Sequence, residues 1–229
     1  LLRIEDIRDE LSWKFEHKKF TGNTVEIIGE SFLADHGSIF GLENDDYLKR
    51  ELDWYLSGSL NVNDIPGETP FIWKQVASHN GEINSNYGHL LFGEANGFQY
   101  DNVFKHLIAD PETRRATAVY TRPTIHADWN RDGMTDFICT NAVQYLIRDN
   151  RLQVIVQMRS NDAVFGYRND YAWHKYVQDL LVKELNEQGL QVSSGHIIWN
   201  AASLHLYERH FWIIENYIET GYPFPKLTK

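Results

Sequence analysis

One cysteine, Cys139, stands among 229 residues. That count excludes an internal disulfide, and no Cys/His spacing supplies four zinc ligands, so no metal site is expected and a reducing cytoplasm fits. His205 and His210 of "HLYERH" are five residues apart, a spacing that does not bring both to one helical face. Positive charge is scarce too: 22 Lys and Arg face 32 Asp and Glu, a net charge of −10 with histidine neutral. A general attraction to DNA or anionic lipid is thereby disfavoured, while a local basic pocket for a small phosphate stays open. No apolar run reaches membrane-spanning length, and the opening "LLRIEDIRDEL" lacks the basic-then-apolar order of a secretory signal. Internal repeats, linkers and low-complexity stretches are also missing. The expectation is one soluble, cytoplasmic domain over residues 1–229 that acts on a small molecule.

What is present suits a sizeable core: 42% of residues are hydrophobic and 24% charged. Aromatics reach 14%, with seven tryptophans, which fits a deep pocket with stacking faces and equally a well-filled interior. Ile4, Ile7, Leu11 and Phe15 recur at helical spacing and predict a helix over 3–18. "TVEIIGESFLA" reads as a strand. "DDYLKRELDWYLSG" starts with acids and ends in glycine, which marks a helix. A loop follows at "DIPGETP", then a helix through "YDNVFKHLIAD" and β-rich "ATAVYTRP". Residues 137–148 and 151–159 read as two strands joined by a tight turn at Asp149-Asn150, which sets Cys139 inside a buried strand. "NDYAWHKYVQDLLVKELNEQG" predicts a long helix ending at Gly189, followed by a strand through "HIIWN" and a last helix from about Leu204. Hairpins and irregular alternation favour α+β over a doubly wound parallel sheet.

Each chemical candidate also has a plain structural reading. A lone cysteine in an apolar strand is usually a small core residue. Glu51 has Lys49, Arg50 and Asp53 as charged neighbours, yet lies between Leu48 and Leu52/Tyr55, close to the apolar stripe. Arg114, Arg115 and Arg159 fall in β-rich segments where surface ion pairing is the ordinary role; as a group, with Ser160 beside the last, they ask for a phosphate. Asp162 and Asp170 precede the long helix, where aspartate commonly caps or opens a helix.

The segments "RELDWY", "IWKQVA", "NSNYG", "DPETRRATAVYTRP", "DFICTNAVQYLIRD", "MRSNDAVFGYRNDYAW" and "WNAASLHLYERH" occur in one order and spacing that resembles the thymidylate synthase superfamily, from about Val25 to Phe211. Within it the chain looks like the phage-type deoxycytidylate hydroxymethylases. The resemblance implies a mixed or antiparallel sheet packed with helices, a homodimer joined by its sheet faces, and a place in the bacterial cytoplasm or a phage-infected host. It implies that Cys139 is the nucleophile that adds to carbon 6 of a pyrimidine, its thiolate favoured by nearby guanidinium groups. Arg159 and Ser160 match phosphate contacts, and Arg114 and Arg115 match a pair that reaches into the partner subunit's site. His205 and Tyr207 match contacts to the sugar hydroxyl. Glu51 matches the acid that organises water and proton transfers, and Trp73, Tyr87 and Asp162 match positions lining the folate cavity. The implied cosubstrate is 5,10-methylene-tetrahydrofolate.

Two departures from thymidylate synthase matter. Ile138-Cys139-Thr140 replaces the usual Pro-Cys-His. Asp170 stands where those enzymes carry the asparagine that reads uracil. An ionised aspartate only accepts, so it takes the amino proton of cytosine and repels the carbonyl oxygen of uracil, a mismatch that costs on the order of a few kcal/mol when buried. The resemblance therefore implies hydroxymethylation of dCMP, with water added to the transferred carbon. The rival readings are a hydroxymethylase of the ribonucleotide CMP, a reductive methyltransferase on the same base, and a silent nucleotide- or RNA-binding relative. The ending "YPFPKLTK" lacks the apolar tail that closes over folate in many thymidylate synthases, so either closure on that side differs or the tail lies outside this sequence.

Overall fold

Period-two apolar residues build the sheet, and the helices lay their apolar stripes against one face of it. The computed structural model describes residues 1–225; Lys226–Lys229 of the closing stretch lie outside the described residues. Eight strands are formed: β1 (Leu2–Arg3), β2 (Phe20–Thr21), β3 (Thr24–Leu33), β4 (Thr117–Val119), β5 (Thr140–Arg148), β6 (Arg151–Met158), β7 (Asn161–Asp162) and β8 (Ser193–Tyr207). Their order is β1-β3-β8-β6-β5-β4, with β2 on β3 and β7 on β8. β3/β8, β5/β6 and β4/β5 pair antiparallel, whereas β6/β8 and β7/β8 are parallel, so the sheet is mixed. The α+β expectation holds. The tight turn is present: Asp149 and Asn150 both adopt positive φ, 51° and 55°, the conformation a two-residue hairpin needs.

The helices are α1 (Ile4–Glu16), α2 (Asp45–Ser57), α3 (Phe71–Val76), α4 (Tyr87–Phe92), α5 (Gln99–Ala109), α6 (Ile125–Asp128), α7 (Phe165–Glu187) and α8 (Phe211–Thr220). α2 shows how the sequence bounds an element. The Asn44 side chain accepts from Tyr47 N, two aspartates occupy the first turn, and Gly58 closes the end in the left-handed region at φ 68°. Trp54, Trp173, Trp199, Tyr120, Tyr145 and Tyr167 are fully buried, so these rings fill the core.

Three expectations are corrected. Leu204–Tyr207 continue β8, and the last helix starts only at Phe211. Leu204, His205 and Leu206 are all buried, and β3 pairs with them through Ile27, Glu26 and Val25. Second, β5 begins at Thr140, so Cys139 sits in the extended segment just before the strand. Third, α7 starts at Phe165, which places Asp170 inside the helix instead of ahead of it.

Candidate active site

The ends of β6 and β8, the start of β5, and the first turns of α7 converge with α2 and α4, and most of the candidate residues lie there. On α2, Glu51 is 3% exposed, while its neighbours Lys49 and Arg50 form ion pairs with Asp53 and Asp46 on the outer face at 3.3 and 3.1 Å. Its Oε1 accepts from Tyr47 Oη at 2.6 Å and from Trp73 Nε1 at 3.1 Å. Burial raises the Glu51 pKa against the pull of those two bonds. Tyr47 stands four residues before Glu51 on the helix, a pairing the i,i+4 rule makes legible.

Cys139 is partly accessible. Arg159 follows β6 and wraps the cysteine segment. Its Nε donates to Ile138 O at 2.9 Å, its Nη2 to Phe137 O at 2.6 Å, and Nη2 lies 3.5 Å from Cys139 Sγ. The other side of the segment is tied by Asp136, which is buried and accepts from Asn84 N, Ser85 N and Ser85 Oγ at 2.6 to 2.8 Å. The thiol's pKa departs from expectation. Burial pushes it up to about 12, Arg159 opposes the rise, and Asp170 and Asp136 add to it. The guanidinium is where the sequence placed it, but desolvation outweighs it.

Asp170 projects from α7 toward Tyr87 of α4 and Asn161 of β7. Its Oδ2 accepts from Asn161 Nδ2 at 2.7 Å. Burial and then the Glu51 charge raise its pKa to about 8, while hydrogen bonds from Tyr87 and Asn161 oppose the rise. The sequence expectation is an ionised, acceptor-only aspartate; desolvation beside a second acid instead favours the protonated form. Tyr87 Oη accepts from Thr140 Oγ1 at 2.9 Å, so the residue after Cys139 fixes the phenol.

His205 and Tyr207 lie on β8 with rings 4.9 Å apart and nearly perpendicular. Burial lowers the His205 pKa, which keeps the imidazole neutral. Asp162 pairs with His205 across β7/β8, and its carboxyl accepts from Val164 N and Phe165 N at 3.2 Å, so it also serves the plain role of opening α7. Ser160 follows Arg159, half-buried. Trp73 is half-buried beside Glu51. Arg114 and Arg115 are not brought into this cluster. Both are exposed ahead of β4, where Gln144, well down β5 from Cys139, donates to Arg114 O. No ion pair among the described residues involves either one. Sequence reasoning missed Tyr47, Asn161, Asp136 and Thr140. Only Tyr47 carries a local spacing signal; the others act on partners brought near by the sheet.

A protonated acid, a guanidinium-flanked thiol, a second buried acid and a neutral histidine form an arrangement suited to covalent addition on a polar ring. The thymidylate synthase family model matches residues 46–229. The deoxycytidylate 5-hydroxymethyltransferases of Enterobacteria phage T4 and Enterobacteria phage T2 are each 53% identical over 227 residues, 96% of this chain and 92% of theirs. Thermostable thymidylate synthase A from Bacillus subtilis is similar in fold, with a TM-score of 0.69 at 19% identity over 98% of this chain and 86% of that one. By the extent of the family match and the identity to these relatives, the chain belongs to the thymidylate synthase family.

Proposed function

We propose that the chain is a deoxycytidylate 5-hydroxymethyltransferase that attaches a one-carbon unit to carbon 5 of dCMP and then adds water to that transferred carbon. The feature that carries this reading is the Asp170 carboxyl, fixed by Asn161 Nδ2 at 2.7 Å, with its pKa raised by burial to about 8. Neutral cytosine offers an acceptor at N3 and a donor at its amino group, and a neutral carboxyl offers one donor and one acceptor. Attack of the Cys139 thiolate on carbon 6 sends electron density through carbons 5 and 4 onto N3, where the Asp170 proton neutralises it. Carbon 5 becomes nucleophilic in that step. Arg159 supplies the positive charge that favours the thiolate, and with Ser160 it is suited to hold the nucleotide phosphate. His205 and Tyr207 are placed to meet the sugar hydroxyl.

Glu51 is the base for the closing water. Both of its hydrogen bonds fall on Oε1, which leaves Oε2 to orient or deprotonate a water molecule. The residues fit a flat heteroaromatic cosubstrate: Phe71 and Ile72, adjoining Trp73 on α3, are 79% and 53% exposed, apolar surface that such a group would cover. Trp73, Tyr87 and Asp162 would line its site, and when bound 5,10-methylene-tetrahydrofolate supplies the carbon. A homodimer is proposed on two observations. Arg114 and Arg115 are exposed without ion-pair partners among the described residues, and the open sheet face carries Leu146, Ile155, Ile198 and Ile28, the last 78% exposed.

The test is a competition among dCMP, CMP and dUMP with methylene-tetrahydrofolate, reading tritium release from carbon 5 and product mass. Preferred release from dCMP with a hydroxymethyl product is expected. A methyl product, or preference for dUMP or CMP, overturns the corresponding part of the reading.

A further inference from the structure

A neutral carboxyl is ambidextrous. Either oxygen can carry the proton, so a bare protonated Asp170 would match cytosine with one arrangement and uracil, which reverses the donor and the acceptor, with the other. Base choice therefore needs something that fixes the proton on one oxygen. Asn161 is 1% exposed on β7, held opposite Leu204 of β8, and its Nδ2 donates to Asp170 Oδ2 at 2.7 Å. Its own Oδ1 is buried without a partner. Reversing the amide would strand two N–H donors in place of one acceptor, so the observed orientation is the better one. Gly166 on α7 lies against this contact: a Cβ there would stand 3.3 Å from Asn161 Nδ2 and 3.2 Å from Asp162 Cβ, close enough that the amide would have to shift by a few tenths of an ångström.

We propose that Asn161 is a positioning residue that sets base preference: its amide N–H makes Oδ2 of Asp170 the acceptor and assigns the carboxyl proton to Oδ1. The Oδ1 hydroxyl then meets N3 and Oδ2 meets the amino group, an order that rejects the carbonyl of uracil. The inference rests on the reading that Asp170 faces the pyrimidine. Gly166 is the second member of the device, because a side chain there would press on the amide.

The experiment compares Asn161→Leu, Gly166→Ala and Asp170→Asn with the parent chain. It measures dissociation constants for dCMP and dUMP, kcat/KM for dCMP against pH, and thermal unfolding. Asn161→Leu keeps the branched shape of the side chain and removes both the donor and the orphan acceptor, and thermal unfolding reports the cost of its bulkier methyl groups. The preference for dCMP over dUMP should fall at least about tenfold, the size of one lost hydrogen bond in a desolvated site. The alkaline fall in kcat/KM should move to higher pH, because the lost N–H had favoured the ionised carboxylate. Gly166→Ala, with Asn161 retained, should produce the same two shifts in weaker form. An unchanged preference and pH profile in Asn161→Leu, with only lowered activity or stability, overturns the proposal. If Asp170→Asn changes the preference while Asn161→Leu does not, the proposal alone falls; if neither changes it, the assignment of Asp170 to the base falls as well.

Discussion

Desolvation favours the neutral forms of Asp170 and Cys139, and each has a measurable signature. The Asp170 pKa stands near 8 in the fold against an ordinary 3.8. Below about pH 4 the group is protonated in both folded and unfolded chains and its ionisation contributes no difference. Between those values the unfolded chain sheds the proton while the native one keeps it, so this group weakens stability increasingly as pH rises, until the native carboxyl also ionises. Asp170→Asn should therefore raise the melting temperature at pH 8 and do little at pH 4; a gain independent of pH would contradict the burial argument. For Cys139, Arg159 is the guanidinium that opposes desolvation. Arg159→Gln should slow alkylation of the thiol by iodoacetamide at pH 8 by roughly an order of magnitude, as one charge lost at that distance predicts. At this scale the sequence carried the residue types and not their states. Asp170 was legible as a carboxyl where the family resemblance implies a base-reading residue, but its raised pKa depends on burial and on Glu51, which come together only after α2 and α7 pack.

Among elements, α2 and α4 show how tightly the site's walls are joined. Gly88, the second residue of α4, lies so close to α2 that a Cβ would stand 1.7 Å from Tyr55 O. Gly88→Ala must push α4 away, and with it Tyr87, whose ring stacks on Tyr55 at 5.4 Å. Such overpacking costs roughly 1–3 kcal/mol, and urea unfolding should show it; activity should fall further than stability because Tyr87 leaves Asp170 and Thr140. The long periodic elements were legible: α1, α2, α5, the β5/β6 hairpin and most of α7 follow their apolar spacing. Failures lie where periodicity is ambiguous. Leu204-His205-Leu206 alternates as a strand, yet the following "YERHFWII" invites a helix, and only pairing with β3 decides the boundary. α7 gains its first turn from Asp162 accepting Val164 N and Phe165 N, a contact made by a strand residue ahead of the helix.

For the molecule as a whole, the proposed exchange of Arg114 and Arg115 between subunits makes a strong demand. A chain with both arginines changed to alanine and a chain with Cys139→Ser should each be nearly inactive. Mixed and allowed to exchange subunits, they should recover a fraction of activity, since a hybrid dimer holds one intact site. No recovery after proven exchange would confine each site to one chain. The mixed sheet was foreseeable through the family resemblance; that Arg114 and Arg115 have no ion pair among the described residues became visible only in the fold. The half-accessible position of Cys139 in a chain with no other sulfhydryl has a practical consequence. A maleimide reporter should attach once per polypeptide, so label stoichiometry becomes a head-count of competent centres, and shielding by dCMP yields occupancy without any turnover.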